Sequence, residues 1–169
     1  MNKNLLVGYG NLDRGDDGIA WHILCRFARM NHRKLDREEY EVGIFSISTF
    51  LDGWFNLQLI PEIAEDLVNY QKVVFIDAHT GEIEEPIHIE IVKPIFQNSP
   101  LTHHFTPSSC LSLCKELYGK TPQAMLLSVH GYQFNFSHSL SPQSKRLIPS
   151  ACMHIQKWLF EASSAAITE

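Results

Sequence analysis

Short apolar runs alternate along the chain with longer stretches in which apolar and polar positions repeat at helical spacing. Three of these runs, NLLVGYG, KVVFIDA and AMLLSVHG, are short, apolar and bounded by turn signals or by longer polar stretches, which predicts buried strands. The run YEVGIFSIS suits another strand. The segment PIHIEIV alternates strictly between apolar and polar positions after a Gly-Glu turn region, which favours an edge strand.

The stretches between these strands predict helices. Between Asp17 and Met30, the residues Ile19, Ile23 and Phe27 recur every four positions and form one core-facing stripe. The segment QLIPEIAEDLVNY predicts a second helix. The other helix boundaries are Thr106-Pro107 to Gly119 and Ser141-Pro142 to about Phe160, with a kink or interruption expected at Pro149.

This alternation of strand and helix predicts an α/β fold. We expect a three-layer αβα sandwich with a twisted, mostly parallel sheet, resembling phosphorylase- or hydrolase-like folds. The 169 residues are enough for one hydrophobic core, so residues 1–169 are expected to form a single domain.

Charge and composition narrow the classes of partner. The net charge is −5 and no run of Lys or Arg forms a stripe, which argues against nucleic acid or an anionic membrane as the main partner. No apolar stretch is long enough to span a bilayer, and the N-terminus lacks a secretory pattern, so we expect a cytoplasmic protein. The four cysteines contain no C-x-x-C pair and are expected to be reduced, buried apolar residues.

The candidate functional residues lie where strands are expected to end. Asp17 begins the helix after the first strand, and Asp77 follows the apolar run that starts at Lys72. Ligands of open α/β sheets bind at the carboxyl ends of the strands, so both acids face one crevice if these strands are neighbours. His103 and His104 lie in the loop before the helix that starts near the same rim.

A nucleotide site is the less favoured interpretation of the opening glycine loop. Gly8-Tyr9-Gly10 provides two glycines of the dinucleotide fingerprint, but Asp13 stands where the third glycine is needed. Helix starts attract anions, yet Asp16 and Asp17 already supply negative charge there and would repel a phosphate.

Each candidate residue also has a purely structural interpretation. We favour Asp16 as a helix N-cap, whereas Asp17 could complement the helix dipole and Asp77 could cap a turn. Paired loop histidines are usually solvated or bonded to carbonyls, and His79 is a candidate partner of Asp77.

Together, however, two carboxylates and one imidazole from separate elements form an incomplete coordination shell. Such a shell suits zinc or nickel with positions open to water or substrate. No G-x-S-x-G elbow is present to favour a serine nucleophile.

Three segments of the chain resemble the signature segments of the nickel–iron hydrogenase maturation proteases. They are VGYGNLDRGDDGIA, VVFIDA and LTHHFTPSSCLSLCKELYG, and they occur in order over nearly the whole chain. The opening segment, with G-x-G-N and then G-D-D-G at the helix start, is the most specific. The departure around FLDGWFNLQL introduces Trp54 and Phe55, for which packing is the preferred role over lining a substrate groove.

The resemblance implies an endopeptidase that removes the C-terminal extension of the hydrogenase large-subunit precursor. It implies that Asp17, Asp77 and His103 are the metal-contacting and catalytic residues, with His104 as the alternative to His103. It also implies that the nickel is carried by the substrate, while the isolated protein could hold zinc or another divalent ion. Two alternatives remain at this point: a nickel-dependent checkpoint module that binds the precursor without cutting it, and a distant relative that acts on another substrate.

Overall fold

The computed structural model describes residues 3–41, 43–95 and 105–161. Within these ranges six strands form one sheet, and each predicted apolar run supplies a strand. The strands are β1 (Asn4–Tyr9), β2 (Phe45–Ser48), β3 (Leu51–Asn56), β4 (Lys72–His79), β5 (Ile87–Val92) and β6 (Gln123–His130).

The sheet is mostly parallel, as the sequence predicts. Its strand order is β2-β3-β1-β4-β6-β5. The four central strands pair in parallel, whereas β2 and β5 pair antiparallel at the two edges. The edge position of the PIHIEIV strand is therefore confirmed. The strands β1 and β4 are direct neighbours, so their carboxyl ends lie side by side.

Helices cover both faces of the sheet and complete the three layers. They are α1 (Ile19–Met30), α2 (Glu38–Glu41), α3 (Ile63–Leu67), α4 (Pro107–Tyr118) and α5 (Pro142–Phe160). Side chains of α1 and α5 share one apolar core with one face of the sheet, and side chains of α3 and α4 share a second core with the other face. Burial of these two apolar faces is the main force that holds the layers together.

The strand β3 was not predicted from the sequence. The YEVGIFSIS run shortens to β2, and the chain turns back after Ser48 so that β3 becomes the parallel neighbour of β1. Trp54 and Phe55 stand on β3 and are 5% and 2% exposed, in opposite cores. Packing is thus their confirmed role, because a fully buried strand needs apolar side chains on both faces.

Helix ends follow their capping residues in most cases. The Thr106 hydroxyl accepts the amide of Ser109 (3.2 Å) at the start of α4, and Gly119 ends that helix with φ +68°. By contrast, α5 runs through Pro149 without interruption, and QLIPEIAEDLVNY forms a helix only over Ile63–Leu67.

All four cysteines are free. Cys110, Cys114 and Cys152 are buried as predicted, whereas Cys25 is only partly buried. None of the helices described here combines the length and apolar character needed to cross a bilayer.

Candidate active site

A cleft of about 520 Å³ opens at the carboxyl ends of the parallel strands. Its wall contains Asp17 from the start of the first helical segment and Asp77 from β4, together with Thr106, Pro107 and Ser108 at the start of α4. The sequence-based prediction that both acids face one crevice is therefore confirmed. No Lys, Arg or His belongs to the cleft wall within the described ranges, so its fixed charge there is negative.

Asp17 is positioned by a 3-10 turn, Gly15–Gly18, that precedes α1. Its Oδ2 atom accepts the main-chain amide of Asn11 (2.8 Å), which orients the carboxylate. Gly10 makes this approach feasible. It has φ +142°, and a Cβ atom there would lie 2.0 Å from the main-chain oxygen of Asp17.

Asp77 stands within β4, with its carboxyl group largely buried. Burial raises its pKa to about 7, a hydrogen bond from the Ala78 amide (2.7 Å) opposes that rise, and the nearby charge of Asp17 adds to it. A hydrogen bond from the Tyr9 hydroxyl also opposes the rise. The cleft therefore places two carboxylates close enough to repel each other, an arrangement that a bound cation stabilises.

Tyr9 belongs to the site although the sequence analysis did not single it out. Burial raises the pKa of its hydroxyl above the ordinary value, and the adjacent Asp77 raises it further, so the phenol stays protonated and donates to that carboxylate. Strand alternation could have revealed it. Tyr9 lies on the same face as Val7, and the β1–β4 register aligns Val7 with Phe75, two residues before Asp77.

Glu90 is a second cleft residue that the sequence analysis missed. It stands on the edge strand β5, opposite Leu126 of β6, and both residues line the cleft. The sequence signal for Glu90 was the alternation of PIHIEIV. This alternation predicts which residues of the strand share a face, but it does not predict which strand β5 pairs with.

His103 and His104 lie outside the described residues, so their predicted ligand role stays a prediction. The next residue, Phe105, lines the cleft, as do the first residues of α4. In the ranges 3–41, 43–95 and 105–161, no three His, Cys, Asp or Glu side chains are grouped to bind a metal. The predicted ligand set has only Asp17 and Asp77 within those ranges.

Asp16 is not a helix N-cap, so the favoured interpretation of this residue was wrong. Its side chain is fully buried and accepts the main-chain amides of Tyr132 (2.8 Å), Gln133 (2.9 Å) and Ser141 (2.7 Å), together with the Ser141 hydroxyl (2.7 Å). Burial alone would raise the pKa of Asp16, but these hydrogen bonds outweigh it and lower the pKa below its ordinary value. Asp16 therefore fastens the loop between β6 and α5 to the segment that carries Asp17.

His79 does not contact Asp77, which corrects its predicted partnership. Its ring nitrogens bond Ser128 Oγ and the main-chain oxygen of Glu85, both at 3.0 Å. Strand pleating puts residues 77 and 79 on one face, but the rise along a strand separates their side chains.

The third aspartate of the loop between β1 and α1, Asp13, is half-exposed and pairs with His138 (2.9 Å) and Arg37 (3.7 Å).

The cleft chemistry favours a cation or a group that carries one. The Asp17 carboxylate already accepts the Asn11 amide, and its negative charge would repel a phosphate at this helix start. Two oxygen donors without a counter-charge in the described wall suit a divalent ion that brings further ligands of its own.

Several solved structures share this fold, and three of them are named as hydrogenase maturation proteases or peptidases. The hydrogenase maturating endopeptidase HybD from E. coli matches 95% of this chain and 94% of its own, with TM-score 0.67 and 18% identity. A hydrogenase 2 maturation peptidase from a Thaumarchaeota archaeon matches 95% and 100%, with TM-score 0.61 and 16% identity. The [NiFe] hydrogenase maturation protease HycI from Thermococcus kodakarensis matches 94% and 92%, with TM-score 0.61 and 18% identity.

These likenesses confirm the resemblance at the level of the fold. No protein-family model matches the sequence, and no curated protein matches it either. At identities below one fifth, a shared fold does not by itself transfer an activity.

Proposed function

We propose that this protein is an endopeptidase that removes the C-terminal extension from the large-subunit precursor of a nickel–iron hydrogenase. The observation that carries the proposal is that Asp17 and Asp77 lie close together in one cleft. Among the described residues, no positively charged side chain belongs to the wall of that cleft. It is supported by the likeness of the whole fold to structures named as hydrogenase maturation proteases. A cytoplasmic site of action is part of the proposal.

The nickel in this proposal belongs to the substrate. Asp17, Asp77 and His103 contact the ion that the precursor already holds, with His104 as the alternative imidazole. The two carboxylates supply negative oxygen ligands, and the Tyr9 hydroxyl orients Asp77 by donating to it. The metal-bearing precursor is thereby distinguished from the empty one, because only the former relieves the repulsion between the two carboxylates.

The chemistry of the reaction is hydrolysis of one peptide bond. Water adds to the scissile carbonyl, the C–N bond breaks, and the new amine takes up a proton, which leaves a shortened subunit and a free tail peptide. A metal ion next to such a bond polarises the carbonyl or acidifies water. In the isolated protein we expect the same side chains to take up zinc or another divalent ion.

The mass of the large subunit tests this function. Nickel-loaded and nickel-free precursor are incubated separately with the protein, and each product is weighed by mass spectrometry. We expect loss of a short C-terminal peptide from the loaded form alone. Binding of the loaded precursor without any loss of mass would instead support a checkpoint module that does not cleave.

The imidazole assignment has its own test. His103→Ala should abolish tail removal in the same assay, whereas His104→Ala should retain most of the parental rate. A complete loss in His104→Ala with an active His103→Ala would exchange the two roles.

A further inference from the structure

The loop of residues 131–140, named here the aromatic loop, starts at the carboxyl end of β6. The cleft opens at the same ends of the parallel strands. The aromatic loop follows β6 directly, and the Gly131 amide donates to the main-chain oxygen of His79 (2.8 Å) at the end of β4. The β4–β6 register aligns Asp77 with Ser128, only three residues before Gly131. The aromatic loop therefore leaves the sheet at the same rim as Asp77, outside the cleft wall.

Hydrogen bonds fix the aromatic loop to the segment that carries Asp17. The Asp16 carboxylate accepts two amides of the loop, and the Asp16 amide donates to the Gln133 oxygen (2.9 Å). Two further main-chain bonds involve Ser137 of the loop. The Gly15 amide donates to the Ser137 oxygen (2.8 Å), and the Ser137 amide donates to the Asp13 oxygen (2.9 Å). A loop bonded in this way keeps its backbone in a fixed position relative to Asp17.

This ordered loop nevertheless presents aromatic rings to solvent. Phe136 is 83% exposed and Tyr132 is 43% exposed. The Tyr132 ring stacks on His130 (centroids 4.2 Å apart), and Phe136 meets His138 edge to face (5.7 Å). Aromatic side chains on a preorganised surface are typical of the residues that dominate protein–protein binding energy.

We propose that the aromatic loop docks the folded body of the protein whose tail enters the cleft, with Phe136 filling an apolar depression on that partner. The inference rests on the proposed function. It is argued from continuity: residues 13, 15 and 16, which hold the loop, immediately precede Asp17 in the chain. A partner that offers its tail to Asp17 and Asp77 brings its folded surface to the same rim.

The chain contains a matched control for Phe136. Phe160 is 84% exposed, and it lies at the other edge of the sheet, where it lines a groove with Asn4, the first residue of β1. Both phenylalanines can be truncated without opening a cavity in either core. Phe136→Tyr keeps the ring and serves as the conservative variant.

The experiment measures the affinity of nickel-loaded precursor for the parent protein and for the three variants Phe136→Ala, Phe136→Tyr and Phe160→Ala. We expect Phe136→Ala to raise Kd, and KM for tail removal, roughly tenfold while kcat changes by less than about twofold. Phe160→Ala should stay within about twofold of the parent protein. Phe136→Tyr keeps the ring but brings a hydroxyl into an apolar depression, so its Kd should lie between those of the parent protein and Phe136→Ala.

Each contrary result has a separate meaning. Equal Kd values for Phe136→Ala and Phe160→Ala, with a parent protein that binds and cleaves, would overturn the docking inference alone. Sedimentation that shows a parental dimer dissociated by Phe136→Ala would also overturn it, because a second copy would then cover the loop. A parent protein that neither binds nor cleaves the precursor would overturn the docking inference and the proposed function together.

Discussion

Asp13, Asp16 and Asp17 stand within five consecutive residues but have three different environments. Asp13 pairs with His138 and Arg37 at the surface, Asp16 is buried among four donors, and Asp17 faces the cleft. Sequence alone identified a group of acids at a helix start, but it could not separate these roles. The donors to Asp16 come from residues more than 100 positions away in the chain.

The buried carboxylate of Asp16 should be essential to the fold. All of its partners are donors, so the amide nitrogen of an asparagine at this position would face an N–H or O–H group. We expect Asp16→Asn to lower the free energy of unfolding by about 2–4 kcal/mol at pH 7, measured by urea denaturation. Asp13→Asn, which removes only surface ion pairs, should change it by about 0–1 kcal/mol.

The pH dependence of that difference has a defined sign. The folded-state pKa of Asp16 is depressed, so its stabilising effect is present above the ordinary pKa and is lost as the pH falls through the folded-state value. The gap between the parent protein and Asp16→Asn should therefore narrow in acid. A gap that stays constant down to acid denaturation would contradict the hydrogen-bond account.

Ionised Asp77 should lower the free energy of unfolding, whereas ionised Asp16 raises it. Its folded-state pKa of about 7 lies above the ordinary 3.8, so the folded protein binds more protons between these values and loses stability as the pH rises through that window. In chelator-treated protein, Asp77→Asn should exceed the parent in unfolding free energy by about 1–3 kcal/mol at pH 8. The excess should vanish near pH 4, and an excess equal at both pH values would refute the assignment.

At the scale of elements, the turn between β1 and α1 depends on Gly10. A methyl group there would meet the main-chain oxygen of Asp17, so Gly10→Ala should displace the 3-10 turn. We expect a loss of about 2 kcal/mol or more in unfolding free energy, with loss of tail removal.

Gly119→Ala is the matched control for this substitution. Gly119 also has a positive φ, but no atom lies within 4 Å of a Cβ built there. That variant should lose about 1 kcal/mol and keep its activity. A Gly10→Ala protein with parental activity would show that the turn does not position Asp17.

Strong local sequence signals, such as helix caps, predicted secondary-structure elements well. Weak local signals failed where contacts between distant residues determine the structure. Thr106-Pro107 and Gly119 marked both ends of α4, because capping is encoded within a few residues. The strand β3 was missed because LDGWFN has neither alternation nor strong strand propensity, and pairing with β1 decides its structure. Likewise, α5 continues through Pro149 because its packing against the sheet supports the helix on both sides of that residue.

At the scale of the whole molecule, the sequence predicted where the site lies better than what lines it. The rule that ligands bind at the carboxyl ends of parallel strands correctly brought Asp17 and Asp77 together. Tyr9, the last residue of β1, was within reach of the same rule combined with strand alternation. Glu90 was not, because its place in the cleft depends on which strand β5 joins and in what register. The same dependence on distant contacts explains why His79 was wrongly linked to Asp77.

The proposed function depends on contact between Asp17 and the metal that the precursor carries. The most direct test is the single-turnover rate of tail removal from nickel-loaded precursor, compared between Asp17→Asn and Asp13→Asn. The protein is kept in saturating excess, so that a weaker contact between residue 13 and His138 of the aromatic loop does not lower the rate. Both substitutions remove one carboxylate from the same loop, and neither disturbs the buried Asp16. We predict no tail removal by Asp17→Asn and the parental rate with Asp13→Asn. Tail removal by Asp17→Asn at the parental rate would show that Asp17 is not needed to contact the metal.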